Sequence, residues 1–450
     1  MNPPERNTVL VNATTPAVRF EVTRDMSGLT SRAGTSLLTG LCDRIGLTAG
    51  LVGALSAHSR KVTHEPGRIV RDLAVMLSDG GDCLTDLGGL RDQQVLFGNV
   101  ASDATAYRCV ERLNTSMLTR LREARGRARA RVWKLADAPS RLILDVDATL
   151  LTAHSEKEGA AGTYKRTFGF HPLLCFEATT GEALAGILRP GNAGSNTATD
   201  HIIVLERALA QLPPEALNSG TLVRCDSAGA THAFLSAVVG RGLSFSVGCD
   251  LSGRVRDAIL KLPESAWISA LDSGGDPRDG AWVTELDIDL SSWPMGTRAI
   301  CRRERPHPGA QLSFSDVDGH RFQVMLTNQK GNRIARLEQI HRSRAAIEDS
   351  IRCAKASGLR NLPFRLYSMN EAWLELVLTG IDLVAWARML LLSGTRLHTA
   401  EPKRLRYRLL HVAGRIVTHA RGITLRLPCS WPWGDVLAIA FDRLRALPTG

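Results

Sequence analysis

The spacing of apolar residues changes along the chain, from a helical period before residue 140 to a strand period after it. The early apolar positions recur every three to four residues, which predicts amphipathic helices separated by Gly/Asp-rich turns. From Arg141 onward, short apolar runs lie between turn residues, which predicts strands. The predicted N-terminal helices are Leu47–Ser59, Gly67–Leu77, Ser102–Leu113 and Leu118–Leu135.

The second region alternates strands and helices in the order βββαβαβ. Its first strand is RLILDVDAT and its fourth is TLVRCD, and the two runs flanking the turn Thr179–Glu182 predict a hairpin. This is the element order of an α/β domain of the ribonuclease-H-like class, in which the first and fourth strands lie side by side. Ligand sites in open α/β sheets lie at the carboxyl ends of the strands. Asp147 and Asp226 are therefore expected to converge there.

A third acid, Glu348, lies in the long helical stretch IARLEQIHRSRAAIEDSIRCAKASG. At about 100° per residue, one stripe spanning about 60° of arc carries four polar residues, namely His341, Arg344, Glu348 and Lys355. Ile347 and Ile351 lie beside the stripe and would anchor the helix to a core. An ordinary solvated charge stripe with an Arg344–Glu348 pair is the competing interpretation.

Two strand carboxylates and one helix carboxylate suit a pair of divalent metal ions beside a phosphodiester. Oxygen ligands favour Mg²⁺, which binds through a few carboxylates together with substrate phosphate. Two such ions stabilise both the attacking and the leaving oxygen. The sequence thus predicts Asp147, Asp226 and Glu348 as catalytic metal ligands for two Mg²⁺ ions, with Mn²⁺ able to substitute.

Between residues 251 and 328 the helical signal lapses, and turn-separated strands predict a β-rich insertion ahead of the Glu348 helix. Trp267, Trp282 and Trp293 lie in this stretch. A Trp here could stack an unpaired base, but core packing is favoured for at least two of the three.

Basic residues in the N-terminal region suggest contact with DNA. The Ser102–Leu113 helix resembles the recognition helix of a helix-turn-helix and would offer Thr105, Tyr107 and Arg108 to DNA; a plain bundle helix fits equally well. The basic residues of Leu118–Leu135, among them Arg127 and Arg129, wrap round the helix and could follow a DNA backbone. A solvated linker helix is the alternative.

Composition adds a preference for polyanionic partners. The net charge is +11, with 44% hydrophobic and 22% charged residues, which is an ordinary globular composition with a basic bias. Nine scattered cysteines without a metal-like spacing indicate reduced thiols. The apolar stretch Ala372–Ser393 is interrupted by charges and predicts a core helix. We expect a cytoplasmic protein with no membrane partner.

Taken together, these residues resemble the DDE transposases of bacterial insertion sequences, in the cut-and-paste branch with a Tyr-Arg-Glu-Lys signature helix. His341 stands where that family has Tyr, and both side chains can hydrogen-bond a phosphate. The segments FGFHPLL and LRPGNAGSNT also resemble family sequence blocks, the second placing Asn192 and Asn196 near the site.

The resemblance implies a bacterial, nucleoid-associated enzyme that binds the terminal inverted repeats of its own element. It would cleave the ends by metal-dependent hydrolysis and transesterification and join the 3′-OH ends to target DNA. Double-stranded DNA is the implied partner, and a homodimer is expected on the DNA ends. Arg344 and Lys355 are expected to contact the DNA backbone near the cleaved phosphate, where His341 lies on the same stripe.

Two other functions remain compatible with parts of the sequence. The segment Asp145-Val-Asp-Ala-Thr149 fits the D-x-D-x-T motif of haloacid-dehalogenase phosphatases, with Asp145 as nucleophile and Asp147 as acid/base. That assignment leaves the Glu348 helix unexplained. The other possibility is a catalytically inactive protein that occupies transposon ends.

The predicted organisation has five parts along the chain. They are a helical, basic DNA-end-binding region (1–138), the first part of the catalytic domain (139–250), the β-rich insertion (251–328), the second catalytic part with the Glu348 helix (329–395) and a basic C-terminal region (396–450).

Overall fold

The computed structural model describes residues 26–56, 63–154, 156–306, 319–419 and 422–449, together with the backbone of strands at 7–10, 19–22 and 316–317. The helices are α1 (Ser36–Arg44), α2 (Leu47–Leu55), α3 (Pro66–Ser78), α4 (Gly88–Arg91), α5 (Gln94–Phe97), α6 (Asp103–Glu111), α7 (Thr115–Ala136), α8 (Ala198–Leu209), α9 (His232–Gly240), α10 (Gly253–Leu260), α11 (Ile334–Arg342), α12 (Ala346–Ala354), α13 (Tyr367–Leu390), α14 (Pro402–Leu405) and α15 (Gly434–Ala446). The strands are β1 (Asn7–Leu10), β2 (Arg19–Val22), β3 (Leu29–Thr30), β4 (Ile143–Ala148), β5 (Leu151–Thr152), β6 (Ala161–Gly162), β7 (Phe168–Phe170), β8 (Leu173–Glu177), β9 (Ala183–Ile187), β10 (Leu222–Cys225), β11 (Ser244–Cys249), β12 (Ile268–Leu271), β13 (Pro277–Leu286), β14 (Arg298–Glu304), β15 (Asp316–Val317), β16 (His320–Thr327), β17 (Gly414–His419) and β18 (Gly422–Arg426).

A large mixed sheet forms the centre of the fold, with the strand order β12-β13-β14-β16-β11-β10-β4-β8-β9. The first strand of the α/β region, β4, lies between β8, which is antiparallel to it, and β10, which is parallel. The predicted adjacency of the two aspartate-bearing strands is therefore present. Leu222 pairs with Ile143 and Arg224 with Asp145, so the same register continued by two residues sets Asp226 opposite Asp147.

The strands of residues 251–328 belong to this same sheet. The sequence predicts strands at Trp282–Leu290, Arg298–Arg305 and His320–Thr327; β14 and β16 match the last two closely, and β13 overlaps the first in part. Strand β16 pairs antiparallel with β11, which extends the sheet of the α/β region without a break. The prediction of an inserted subdomain is corrected accordingly, because edge pairing joins these strands to the central sheet. The helix α10 was not predicted.

The tryptophans of this stretch are packed against protein. The Arg303 guanidinium lies between Trp267 and Trp282, 4.4 Å and 5.0 Å from the two ring centroids. Trp293 lies 4.1 Å from the His232 ring, and both it and Trp282 pack on the main core. The preference for core packing is confirmed.

The first of the two runs predicted to form the hairpin, TFGFHPLLCFEAT, is divided at His171-Pro172. Strand β7 ends before this dipeptide and joins β5 and β6 in a small three-stranded sheet, whereas β8 follows it and pairs with β4 and β9. Pro172 has no N–H to donate to a sheet ladder, which favours such a break. The small sheet lies beside the carboxyl end of β4, because β5 begins only three residues after Ala148, the last residue of β4.

The helical N-terminal region shares one core with the sheet. Helix α13, confirmed as a core helix, packs against α1, α3, α6, α7 and β9. One continuous cluster of buried apolar residues extends from α1 through the sheet to α15. Helices α1 to α7 are consequently packed into the body of the protein.

The long basic helix α7 has a buried face that includes two of its arginines, which neither of the two interpretations of its charges anticipated. Arg129 is 0% exposed and lies 2.9 Å from Glu182 and 2.5 Å from Asp382. Arg125, also buried, contacts Glu375 and Asp382. The predicted DNA contact of Arg129 is corrected, because its guanidinium is enclosed and neutralised by carboxylates from distant parts of the chain.

Within the described residues, no single helix is long and apolar enough to cross a membrane. The pair α1 and α2, bent by 73°, meets that test by length and composition, and both helices contribute buried leucines to the core. All nine cysteines are free thiols, as their spacing predicted.

Candidate active site

Asp147 and Asp226 lie at the carboxyl ends of neighbouring parallel strands. Asp147 is the penultimate residue of β4, and its Oδ1 accepts the N–H of Ala148 at 2.8 Å. Asp226 follows β10 and caps a short 3₁₀ turn, accepting the N–H of Ala228 at 3.1 Å. A Cβ on Gly248 of β11 would lie 2.9 Å from Ser227 N, so glycine lets the Asp226 turn approach the sheet. The strand β4 and the turn after β10 thus hold the carboxylates of Asp147 and Asp226 at the same edge of the central sheet.

Glu348 reaches the same edge from a helix that is not continuous. Helix α11 ends at Arg342, a 3₁₀ turn covers Ser343–Ala345, and α12 carries Glu348 in its first turn. Ile347 and Ile351 are buried, as the pattern predicted, and they leave Glu348 exposed. Glu348 is near enough to Asp147 to raise the pKa of that carboxyl. The structure therefore brings the three predicted acids together.

Arg344, in the 3₁₀ turn, faces Asp147. Its Nη2 lies 3.1 Å from Asp147 Oδ2, and its side chain is only 16% exposed. Within the described residues, its buried Nε and Nη2 atoms form no hydrogen bond of acceptable geometry, although Nη2 makes the ion pair with Asp147. Two unsatisfied guanidinium donors beside a cluster of acids provide a place for a phosphate oxygen.

Burial raises the pKa of Asp147 to about 6, with Arg344 opposing the shift and repulsion from Asp226 and Glu348 adding to it. Carboxylates that repel one another in a half-buried place are costly unless a cation is present. The carboxylate oxygens of Asp147, Asp226 and Glu348 do not all lie within 4.8 Å of one another. Among the described residues, the group of potential metal ligands that close together is Asp82, Cys83 and Asp86. The three acids offer only oxygen ligands, they repel one another, and two of them are exposed. These features fit divalent metal ions that keep water and phosphate as further ligands.

His341 lies in the last turn of α11. Its Nδ1 lies 2.8 Å from Ser246 Oγ on β11. Burial, followed by repulsion from Arg344 and Arg224, lowers the pKa of His341 to about 3, so the ring is neutral. The contact with Ser246 fixes α11 on the sheet through Nδ1, and binding of His341 to DNA stays a prediction. The ring still borders the cavity that contains Glu348 and Arg344.

Asp145 differs from Asp147 because its carboxylate is paired with Arg224. The Arg224 side chain forms two hydrogen bonds with it, 2.6 Å from Nε to Oδ1 and 2.7 Å from Nη2 to Oδ2, and Asp145 is 1% exposed. The same guanidinium bonds Ile340 O and Ser343 Oγ, which ties the strand to the 3₁₀ turn of Arg344. A buried, doubly bonded carboxylate is a poor nucleophile. The haloacid-dehalogenase alternative, which requires Asp145 to attack, is therefore disfavoured.

Lys355 supports the loop that leaves β4. It lies at the end of α12, and its Nζ donates to Leu150 O at 3.1 Å. The ammonium thus lies near the segment that follows Asp147, with two of its three donors remaining for other acceptors. This position agrees with the predicted proximity to the site, while its contact with DNA stays a prediction.

Two cavities meet at the acids. One, of about 780 Å³, is bordered by Asp147 and Asp226, and the other, of about 610 Å³, by Asp226, Arg344 and Glu348. Asn192 borders the first cavity as predicted, and Asn196 lies on the same loop, where it accepts a hydrogen bond from Ser195 at 3.0 Å.

Two histidines of the first cavity were not predicted as site residues. His171 and His201 border it, each with Nδ1 near a backbone carbonyl, at 3.3 Å from Ala193 O and 3.0 Å from Thr197 O. Burial lowers the pKa of both rings. His171 lies within the FGFHPLL block, so the resemblance of that block to the family could have indicated His171 as a site residue.

The remaining predicted DNA contacts lie away from the acids. Arg108 is exposed on α6, and its Nη2 donates to Thr105 Oγ1 at 3.3 Å. Ser102 caps this helix as predicted, and Tyr107 packs edge-on against Phe364 with ring centroids 5.9 Å apart. Arg127 is exposed on α7. Both arginines are accessible, and their binding to DNA stays a prediction.

The raised pKa of Asp147 leads to a prediction about stability. Its folded pKa of about 6 exceeds the unfolded value of about 3.9, so the metal-free fold loses stability as pH rises between these values. Asp147→Asn is expected to stabilise the metal-free protein at pH 8 by about 2–3 kcal/mol, a gain that shrinks as pH falls toward 5. Urea unfolding in a chelator measures this, with the exposed Asp349→Asn as control. Equal stability of parent and Asp147→Asn at pH 8 would contradict the prediction.

A protein-family model described as "Transposase DDE domain group 1" matches residues 15–449. The chain belongs to this family. It is a DDE-type transposase, and its family uses divalent metal ions. The cryo-EM structure of a piggyBac transposase synaptic complex with hairpin DNA is similar at a TM-score of 0.43 and 11% sequence identity, covering 90% of this chain and 83% of that chain. No curated protein matches the chain.

Proposed function

We propose that this transposase serves a bacterial insertion sequence, binds its terminal inverted repeats, cleaves its ends and joins the 3′-OH ends to target DNA. The observation that supports this most directly is the meeting of Asp147, Asp226 and Glu348 at the junction of two cavities, beside the unsatisfied donors of Arg344. The strand order, with β4 between the second and fourth strands of the α/β region, supports a ribonuclease-H-like catalytic fold.

In this proposal the three acids would hold two Mg²⁺ ions, which Mn²⁺ could replace. Such ions activate a water or a 3′-OH and stabilise charge on the attacking and leaving oxygens. Arg344 would hold a non-bridging oxygen of the phosphate, since its donors face the acids. Lys355 would keep the segment after β4 in place through Leu150 O. Each step is an in-line displacement at phosphorus, so one site serves cleavage and joining.

Double-stranded DNA would be the partner, as terminal repeats and as target, with the protein acting as a homodimer on the ends in the bacterial cytoplasm. The net charge of +11 favours association with a polyanion. Sequencing the DNA that flanks the gene tests the class, because terminal inverted repeats are expected there. A duplex carrying such a repeat should then be cleaved in Mg²⁺ and not in chelator. Metal-independent or absent cleavage of that duplex by folded protein would reject the proposal.

Arg344 provides a second test of the site. Arg344→Ala is expected to lower end cleavage by roughly 100-fold, the usual effect of losing one donor to a developing oxyanion. Arg344→Lys should recover only part of this, because an ammonium lacks the guanidinium fork. Cleavage rates and melting temperatures are measured together, with Arg352→Ala as control, since Arg352 is exposed and pairs with Asp349 and Glu401. If Arg344→Ala unfolds while Arg344→Lys behaves as the parent, Arg344 is structural.

A further inference from the structure

The C-terminal region has an exposed two-stranded ribbon, formed by β17 and β18, that the proposed chemistry does not use. The two strands pair antiparallel, and β17 also pairs with β3, so the ribbon belongs to a three-stranded sheet separate from the central one. Of the described residues of this sheet, only Thr30 and Gly414 are buried. Strand β17 has six residues and is about 20 Å long. The ribbon therefore presents most of its surface to solvent.

One face of the ribbon is basic. Residues that pair across two antiparallel strands place their side chains on the same face, and Arg415 pairs with Arg426. Both arginines are exposed. The same face also carries Val417, His419 and Thr424. Two guanidinium groups thus lie side by side at the end of the ribbon that joins the body of the protein.

The other face is apolar at this end and is turned toward the helices. It carries Ile416 and Leu425, which pair with each other and are half-buried. A Cβ on Gly414 would lie 3.0 Å from the Leu425 side chain and 3.2 Å from the Cβ of Ala33, which lies just ahead of α1. Because this face contacts the body of the protein, the basic face is directed to solvent.

The two arginines of the basic face lack acidic partners. Within the described residues, neither Arg415 nor Arg426 has a carboxylate within 4.0 Å or a hydrogen bond from its guanidinium. Like charges directly opposite each other on two strands destabilise their pairing. Between Glu401 and Asp435 the sequence has seven Lys or Arg residues and neither Asp nor Glu. A cross-strand pair of unneutralised cations in an acid-free stretch fits an anionic partner.

Further cations lie at the base of the ribbon. Lys403 and Arg404, on α14, are exposed. The Arg408 guanidinium lies 4.4 Å from the ring centroid of Trp433, and Trp431 Nε1 donates to Arg408 O at 2.9 Å. These contacts join the segment that enters the ribbon to the segment that leaves it. The positive charge of the ribbon is therefore continued by its own supports.

We propose that the ribbon binds duplex DNA outside the catalytic site, with Arg415 and Arg426 on phosphates of the DNA backbone. A guanidinium suits phosphate because its planar fork can donate two hydrogen bonds at once. No residue of the ribbon borders either cavity beside the acids. The inference rests on the proposed function, which supplies DNA as the partner, and it adds a contact to the duplex that the acids cut.

The experiment measures the affinity of the full-length protein for two synthetic duplexes over a range of salt concentrations. One duplex carries the terminal repeat, and the other has a random sequence. Arg415→Ala and Arg426→Ala should each weaken binding roughly tenfold at about 0.1 M salt and lower the slope of log affinity against log salt by about 0.9, the value for one lost phosphate contact. Because phosphate contacts carry no sequence information, both duplexes should lose affinity equally.

Three further variants separate binding from folding. Arg426→Glu places a carboxylate opposite Arg415, so it should keep or raise the melting temperature while weakening DNA binding more than Arg426→Ala does. Thr418→Ala changes an exposed side chain on the other face of the ribbon. Arg445→Ala is the matched control for charge, because Arg445 is 73% exposed and pairs with Asp442. The last two variants should bind both duplexes like the parent.

Affinities and salt slopes equal to the parent's in the Arg415 and Arg426 variants would overturn the proposal. An equal loss in Thr418→Ala or Arg445→Ala would also overturn it, because the effect would then not belong to the basic face. Unchanged DNA binding with altered self-association in sedimentation would assign the ribbon to a second copy of the chain. Unchanged DNA binding with lost binding to phosphatidylserine vesicles would assign it to an anionic lipid surface.

Cleavage in Mg²⁺ separates this inference from the proposed function. If the Arg415 and Arg426 variants lose DNA affinity as expected but the folded parent does not cut the terminal-repeat duplex, the ribbon remains a DNA contact and the proposed function fails. If the parent cuts that duplex only with metal but the salt slope does not depend on the two arginines, the proposed function stands and the ribbon contact is rejected.

Discussion

Replacing Asp226 or Glu348 by alanine is expected to lower metal-dependent cleavage at least about a thousandfold while the protein remains folded. Each metal ligand contributes to several kcal/mol of charge stabilisation in the transition state, and each 1.4 kcal/mol is worth about tenfold in rate. Both side chains are exposed, so their loss removes no packing. Asp147→Ala should be equally inactive, and relief of repulsion at its half-buried carboxyl should favour the fold.

The chain supplies a close control for Glu348. Asp349 is the next residue of the same helix, is 74% exposed and pairs with Arg352. Asp349→Ala should therefore cleave like the parent when both variants are assayed on the same terminal-repeat duplex in Mg²⁺. Cleavage by Glu348→Ala at a rate comparable to that of Asp349→Ala would remove Glu348 from the site, and the same comparison applies to each aspartate.

Asp145 should behave differently from its neighbour Asp147. Asp145→Ala leaves the buried Arg224 guanidinium without its carboxylate, and breaking a buried pair costs about 3–5 kcal/mol. We expect a large fall in melting temperature for Asp145→Ala, with any loss of activity following the loss of folded protein. A well-folded, inactive Asp145→Ala beside an active Asp147→Ala would reverse the assignment.

Local patterns in the sequence were sufficient for the part of the site that follows from sheet topology. Apolar runs located β4 and β10, and the alternation of strands and helices implied that their carboxyl ends meet, as the register of Leu222 with Ile143 confirms. The positions of Ile347 and Ile351 correctly predicted which face of the Glu348 helix is buried. These features depend on the period of neighbouring residues, which a sequence shows directly.

Other features depend on partners that are distant in sequence. The Arg224–Asp145 pair joins two strands, and only its burial explains why Asp147 rather than Asp145 faces the cavities. The sheet continues because β16 pairs with the edge of β11 that β10 does not occupy, and this pairing joins segments far apart in sequence. The 3₁₀ turn at Ser343–Ala345 interrupts a stretch whose sequence pattern is that of one continuous helix. Helical phase placed His341 beside the site, but it did not reveal the contact with Ser246 of β11 that holds the imidazole.

The charges of α7 show this limit most clearly, since residues with the same chemistry two positions apart have opposite environments. Arg127 is exposed, whereas Arg129 is 0% exposed and contacts Glu182 and Asp382. Glu182 in turn accepts hydrogen bonds from the indole nitrogens of Trp133 and Trp386, at 2.8 Å and 2.6 Å. The sequence carries no local sign of this network, because Asp382 lies 253 residues after Arg129.

Arg129→Ala is therefore expected to cost about 3–5 kcal/mol of folding free energy, because it leaves buried Glu182 without its cation and Asp382 with Arg125 alone. Arg127→Ala should stay within about 0.5 kcal/mol of the parent, as surface changes usually do. Soluble yield and urea unfolding measure both. Arg129→Lys should be intermediate, since it keeps the charge but cannot bridge Glu182 and Asp382 with a planar fork. If Arg129→Ala instead unfolds like the parent and binds DNA more weakly with a reduced salt slope, the buried network is wrong and Arg129 contacts the DNA backbone.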